Sequence, residues 1–165
     1  MISKEMKLTP HFTLGEMTAS KSHPEVKNEP RPEQIMNLIT VCQWLEKLRE
    51  EYNKRYAQMR NEEGERRNDS PEQPIVINSG FRSKMLNYAV GGEPDSNHLT
   101  GCAADIRCKD CTQAVRYAAI LIELFQEAKK EWDEIIIEKK GVRFWVHFAV
   151  RPERNRCKVT CITLW

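Results

Sequence analysis

The chain has 165 residues, 30% charged and 40% hydrophobic, with 26 basic against 24 acidic side chains and a net charge of +2. That length suits a single domain over residues 1–165 and is enough to bury a core. The near balance of charge gives no broad electrostatic reason for nucleic acid or an anionic membrane as partner, and no apolar run reaches the length of a membrane span.

The opening "MISKEMKLTPHF" lacks the apolar core of a secretion signal, so the expectation is a chain that is cytoplasmic as synthesised, with release to act elsewhere left open. "HFTLGEMTAS" reads as an extended lead-in to a short helix, with Thr13 and Glu16 spaced as a capping box. "NEPRPEQIMNLITVCQWLEKLREEYNKRYAQ" is the clearest helix. Pro32 suits its first turn, and Ile35, Leu38, Ile39, Cys42, Leu45 and Leu48 recur at helical spacing. Residues 59–74, polar and ending in two prolines, read as a solvated loop. Ile75 to Asn78 reads as a buried strand that runs into a turn at Ser79-Gly80. "SKMLNYAV" gives one or two helical turns stopped by Gly91-Gly92, and "EPDSNHLTG" is loop. "CAADIRC" is a short strand, followed by an amphipathic helix with Ala114, Tyr117, Ala118, Leu121, Ile122 and Phe125 on its inner face. "EIIIE" and "RFWVHFAV" read as a hairpin turning at "KKG", and "CKVTCITLW" as a last strand. The expected class is α+β, helices packed on an antiparallel sheet.

Six cysteines include the pairs Cys108/Cys111 and Cys157/Cys161, which could form a structural zinc site; reduced thiols are the plainer expectation, and a disulfide would need an oxidising compartment. His11 and His23 read as surface residues. His98 follows a loop and His147 sits in an apolar strand, where each alone could be a satisfied structural residue. Asp105, among alanines and an isoleucine, is costly to bury unless something positive faces it. Two imidazoles and a carboxylate make a three-ligand zinc set with a fourth position free, and Gly101, Ala103 and Ala104 let backbone approach closely.

"INSGFRSKMLNYAVGGEPDSNHLTGCAADIRC" followed by "FWVHFAV" resembles the zinc D-alanyl-D-alanine carboxypeptidase family, whose fold is shared with the hedgehog signalling domain. The matching segments are Ser-Gly-Phe-Arg-Ser, Ser-x-His-x-x-Gly-x-Ala-x-Asp and Trp-Val-His, in that order. "FTLGEMTAS" and the helix after it resemble the phage and mobile-element members. The resemblance implies a hedgehog/DD-peptidase-like fold and one bound zinc held by His98, Asp105 and His147. It implies that Arg82 holds a substrate carboxylate or carbonyl, that Ser96 lies near the bound peptide, and that Asn87, Tyr88 and Trp145 shape the cleft.

Many relatives carry an acid three positions before the last histidine, where this chain has Phe144; others use a glutamate at the end of the preceding strand, which Glu138 matches. A two-residue turn at Lys140-Gly141 would instead pair Glu134 with His147, so the base is Glu138 with Glu134 as the competitor. The implied activity is cleavage of cell-wall peptides that contain D-amino acids, as a D-Ala-D-Ala carboxypeptidase or an endolysin-like endopeptidase. Its expected partner is a peptidoglycan stem peptide or another D-Ala-containing peptide, with no nucleic acid and no membrane insertion, and a monomer is expected. The alternative is a zinc-containing peptidoglycan- or protein-binding module of the same fold that does not cleave, which Phe144 would favour.

Overall fold

The computed structural model describes residues 3–57 and 72–164. The chain order is α1 (Leu14–Thr18), α2 (Pro32–Tyr52) extended by a π-helical turn (Asn53–Ala57), β1 (Ile77–Ser79), α3 (Lys84–Ala89), a 3-10 turn (Asn97–Thr100), β2 (Ala103–Cys108), α4 (Cys111–Glu127), β3 (Glu134–Lys140), β4 (Arg143–Ala149) and β5 (Lys158–Leu164). Most of the expected loop at 59–74 lies outside the described residues.

The helices start where the sequence says they should, whereas β1 starts at Ile77, two residues after the expected Ile75, and the expected loop before β2 holds a 3-10 turn. Thr13 caps α1 and Glu16 closes the capping box, satisfying donors that the first turn leaves free. Pro32 occupies the first turn of α2, Ser83 caps α3, and Asp110 caps α4 by accepting from the Gln113 amide at 2.8 Å.

The five strands lie in the order β1-β2-β4-β3-β5. Four of them pair antiparallel, as expected; β5 joins the edge parallel to β3. β4 ends beside the start of β3, with Ala149 opposite Glu134, so residues 150–157 pass around that end of β3 to its free edge, where Lys158 pairs with Glu134 from the other side. Strand alternation splits the sheet into two unlike faces. Ala104, Ile106, Cys108, Ile135, Val146 and Phe148 are buried in one core with the inner faces of α2 and α4. Trp44 of α2 stacks on Phe125 of α4 with ring centroids 3.7 Å apart, and Phe148 packs 5.9 Å from Phe125. The other face carries Asp105, Arg107, Trp145, His147, Glu134, Ile136 and Glu138.

The β3–β4 hairpin turns one residue later than the sequence suggested. Lys140 pairs with Arg143, so Gly141 and Val142 form the turn, with Gly141 at φ +58. Every partner on β4 moves by two positions: Glu138 lies opposite Trp145, Ile136 opposite His147, and Glu134 opposite Ala149. A shift of two preserves the face of each side chain, so the expected common side for Glu134, Glu138, Trp145 and His147 holds.

Asp133, just before β3, is fully buried at the centre of a polar knot. It accepts from Asn97 at 2.7 Å, pairs with Arg151 at 2.8 Å, and receives two bonds from Arg156 at 2.9 and 2.7 Å. Burial opposes its charge, but the Arg156, Asn97 and Arg151 donors outweigh it and pull its carboxyl down to about 2. Asp133→Ala is expected to cost about 3 kcal/mol, because it removes the buried carboxylate that Arg156, Arg151 and Asn97 share. A lowered urea midpoint at neutral pH with an unchanged m-value measures it.

Candidate metal centre

His98 is brought to the sheet by the 3-10 turn, and α2 holds that turn in place. Gln34 Nε2 donates to Leu99 O at 2.9 Å and Asn37 Nδ2 to Thr100 O at 2.9 Å. Gly101 ends the turn at φ +75, and a Cβ there would lie 2.4 Å from Gln34 O, so both conformation and space demand glycine. Below the turn, Gly80 packs so tightly on α1 that a Cβ would lie 2.3 Å from Met17 O. Asp105 and His147 come from neighbouring strands and lie directly opposite one another in the β2–β4 register.

The three side chains are buried and meet at their ligand atoms. His98 Nε2 lies 3.2 Å from Asp105 Oδ1 and 3.2 Å from His147 Nδ1, and His147 Nδ1 lies 3.0 Å from Asp105 Oδ1. A tetrahedral zinc with bonds of ~2.0–2.1 Å has ligand atoms about 3.3 Å apart. The triangle therefore fits one such ion with only small adjustment. The outer nitrogens support the same reading. His98 Nδ1 donates to Gly80 O at 2.6 Å, which turns the Nε2 lone pair inward. His147 Nε2 faces Glu134 Oε2 at 3.5 Å, which leaves Nδ1 as its inward nitrogen. Among the described residues no other group of three metal-ligating side chains is found, and the cysteines do not gather: Cys108 is buried toward the helices, while Cys111, Cys157 and Cys161 are exposed.

Burial disfavours the Asp105 charge, yet His98 and His147 hold its carboxyl well below the usual range. Burial first, helped by the Arg82 and His147 charges, pushes His98 down against the pull of Asp105. Burial would also lower His147, but its hydrogen bonds to Asp105 and Glu134 win and raise it to about 9. Without metal, His147 is then cationic at neutral pH. A raised folded value stabilises the metal-free protein below the ordinary value of 6.5 and loses that contribution as pH climbs through about 9. Zinc must displace the same proton, so its apparent affinity is expected to fall about tenfold for each pH unit below 9. Competition titrations with a chromophoric chelator between pH 6 and 9 would report the slope.

Arg82 stands on the other side of Asp105. Its Nη2 bonds Asp105 Oδ2, its Nε donates to Ser79 Oγ at 2.8 Å, and its backbone N donates to His98 O at 3.0 Å. Asn28 fixes the segment around it, donating to Phe81 O at 2.8 Å and accepting from the Ser83 amide at 2.6 Å. Ser96 Oγ accepts from the His98 amide at 3.3 Å and caps the 3-10 turn. Trp145 is half-buried on the site face. Asn87 is buried and donates to Glu93 O at 2.8 Å, whereas the Tyr88 side chain is exposed. Phe144 lies on the opposite face from His147 and packs against the core, so it does not stand at the metal centre.

The two glutamates have separate surroundings. Glu134 meets His147, Asn97 at 3.1 Å, Arg156 at 3.1 Å and Lys158 at 3.3 Å, and the His147 contact foremost lowers its carboxyl to about 2. Glu138 has no such partners; burial first and the Asp105 charge second raise it. Sequence reasoning did not find the Asp133–Asn97–Arg156 knot, Ser79 or Asn28. Their only local signal was a carboxylate and amides beside apolar strand ends.

The His98–Asp105–His147 triangle could hold a metal ion. A family model described as Peptidase M15 matches residues 65–123, which carry Arg82, His98 and Asp105, and it supports a zinc metallopeptidase of that family. Zinc is the metal such peptidases use, and His98, Asp105 and His147 are the residues that fit it. His147 lies beyond the matched segment and is joined to it by the β2–β4 pairing. No curated protein matches the chain. Among the described residues no helix is long and apolar enough to cross a membrane.

Proposed function

We infer that the protein hydrolyses cell-wall peptides containing D-amino acids, as a D-Ala-D-Ala carboxypeptidase or an endolysin-like endopeptidase. The carrying observation is the buried His98–Asp105–His147 triangle with the carboxylate of Glu138 on the same sheet face. Zinc, when bound, supplies a Lewis acid that polarises a scissile carbonyl and acidifies water.

Glu138 takes the proton of the attacking water and hands it to the leaving amine. Its raised affinity for protons suits both halves of that transfer. Glu134 is engaged by His147 and two cations, so it serves the metal ligand and not the water. Arg82 grips Asp105 with one edge of its guanidinium, while its Nη1 has no hydrogen bond among the described residues and is the group that receives a substrate carboxylate. Ser96 and Trp145 line the approach. The non-cleaving reading drew on Phe144, and that side chain packs away from the centre.

Peptidoglycan incubated with the zinc-loaded protein and analysed by mass spectrometry should yield fragments cut at one peptide bond next to a D-amino acid. Intact fragments, with zinc bound, would reject hydrolysis and leave a binding module.

Arg82→Ala is expected to weaken zinc binding about 10–100-fold, since it frees the Asp105 carboxylate that Arg82 orients. It should also raise KM. Zinc affinity from chelator competition separates the two effects, and unchanged zinc affinity would confine Arg82 to substrate.

A further inference from the structure

Three rows of side chains cross the open sheet face, each row set by strand register. The metal row runs Asp105, His147, Ile136, Thr160. The next runs Arg107, Trp145, Glu138, Ile162. The outermost, at the hairpin tip, runs Arg143, Lys140, Leu164. Successive rows lie about 7 Å apart, two residues along a strand. The helices α2 and α4 pack on the opposite face, and the 3-10 turn meets the face at its metal end, through His98 and through Asn97 on Glu134. Arg107, Lys140, Arg143, Ile162 and Leu164 are all exposed, and Trp145 and Glu138 are half-buried. Beyond the metal row the face thus carries three cations, one carboxylate and an apolar floor. Arg107 is steadied by its Nε bond to Asn78 at 3.1 Å. The cations at the other end of the face are already paired: Lys158 and Arg156 meet Glu134, and Arg156 and Arg151 meet Asp133.

We propose that this face is a substrate subsite for an extended, acidic peptide segment, running from the metal centre over Trp145 to the cations Arg107, Lys140 and Arg143. The proposal deepens the peptidase reading above and rests on it. Arg82 sits on the β1 side of the metal row, so it takes the carboxyl end of the substrate, and the amino-terminal part passes over Trp145. An extended peptide advances ~3.3 Å per residue, so a carboxylate two to four residues before the scissile bond meets the two cationic rows. The occupant is a peptide because Trp145, Ile162 and Leu164 make an apolar floor between the charges, and it is acidic because Arg107, Lys140 and Arg143, without an ion pair among the described residues, outnumber the Glu138 carboxylate.

The test uses two N-acetylated hexapeptides ending in D-Ala-D-Ala that differ only in Glu or Gln at the third residue before the scissile bond. Their binding to the zinc-loaded Glu138→Gln protein is measured by calorimetry, and their cleavage by the wild type. The Glu peptide should bind about 3–10-fold tighter, the scale of one or two exposed charge pairs, and show a lower KM with the same kcat. The preference should fade in 0.5 M NaCl and vanish in a Lys140→Ala, Arg143→Ala variant that cleaves the Gln peptide as the wild type does. Equal binding of both peptides overturns the subsite. So does a preference that survives the double variant, or one that is the same with Glu moved to the amino terminus, which marks diffuse charge. If neither peptide is cut but the binding preference holds, the peptidase reading fails and the subsite stands.

Discussion

Glu138→Gln should keep one zinc per chain and lose about 10²–10⁴-fold in kcat. The amide preserves the shape of the side chain and removes its ability to accept a proton. The metal should stay, because Glu138 is not one of the three side chains whose ligand atoms meet. Glu134→Gln is the matched control. It removes the charge behind His147 Nε2 and should weaken zinc while leaving kcat of the fully loaded protein near the wild-type value. Elemental analysis followed by kcat at saturating zinc separates the pair. If Glu134→Gln carries the catalytic loss and Glu138→Gln turns over normally, the roles are reversed.

A His98→Ala, His147→Ala double variant should retain almost no zinc and lose activity by roughly 10³-fold or more, because two of three ligands and the Lewis acid go together. Its melting temperature should no longer rise on adding zinc, since a metal that binds only the folded chain stabilises it by mass action. The ring nitrogens of both histidines meet polar groups, Gly80 O, Asp105 and Glu134, and the β2–β4 backbone pairing does not depend on them, so the variant should still fold. Inductively coupled plasma measurements on protein purified without added metal read the stoichiometry. Full retention of zinc would move the metal to the cysteines.

The sequence by itself pointed to most of the elements and to the three side chains whose ligand atoms meet. Helical spacing in Ile35 to Leu48 and in Ala114 to Phe125 followed directly from burying one stripe of each helix, and every one of those apolar stripes packs inward or half-inward in the fold. Asp105 was legible as a site residue because a carboxylate among alanines has no local partner that could offset its burial. Period-two alternation also fixed which side chains share a face, and that held even though the hairpin turns at Gly141-Val142.

Tertiary structure alone decided the roles. Register is set by the turn and by long-range pairing, so neither the Glu138–Trp145 pair nor the separation of Phe144 from the site could be read from spacing. The parallel docking of β5 depends on a crossover that leaves no local pattern. Arg82 and Glu134 gained their partners from residues 23 and 13 positions away, Asp105 and His147, and Asn97 reached Asp133 across 36. Such pairings satisfy charges that the fold buries. They arise only once the strands have brought distant parts of the chain to one face, which is why the candidate ligands were legible in the chain and the partners of Arg82, Glu134 and Asp133 were not.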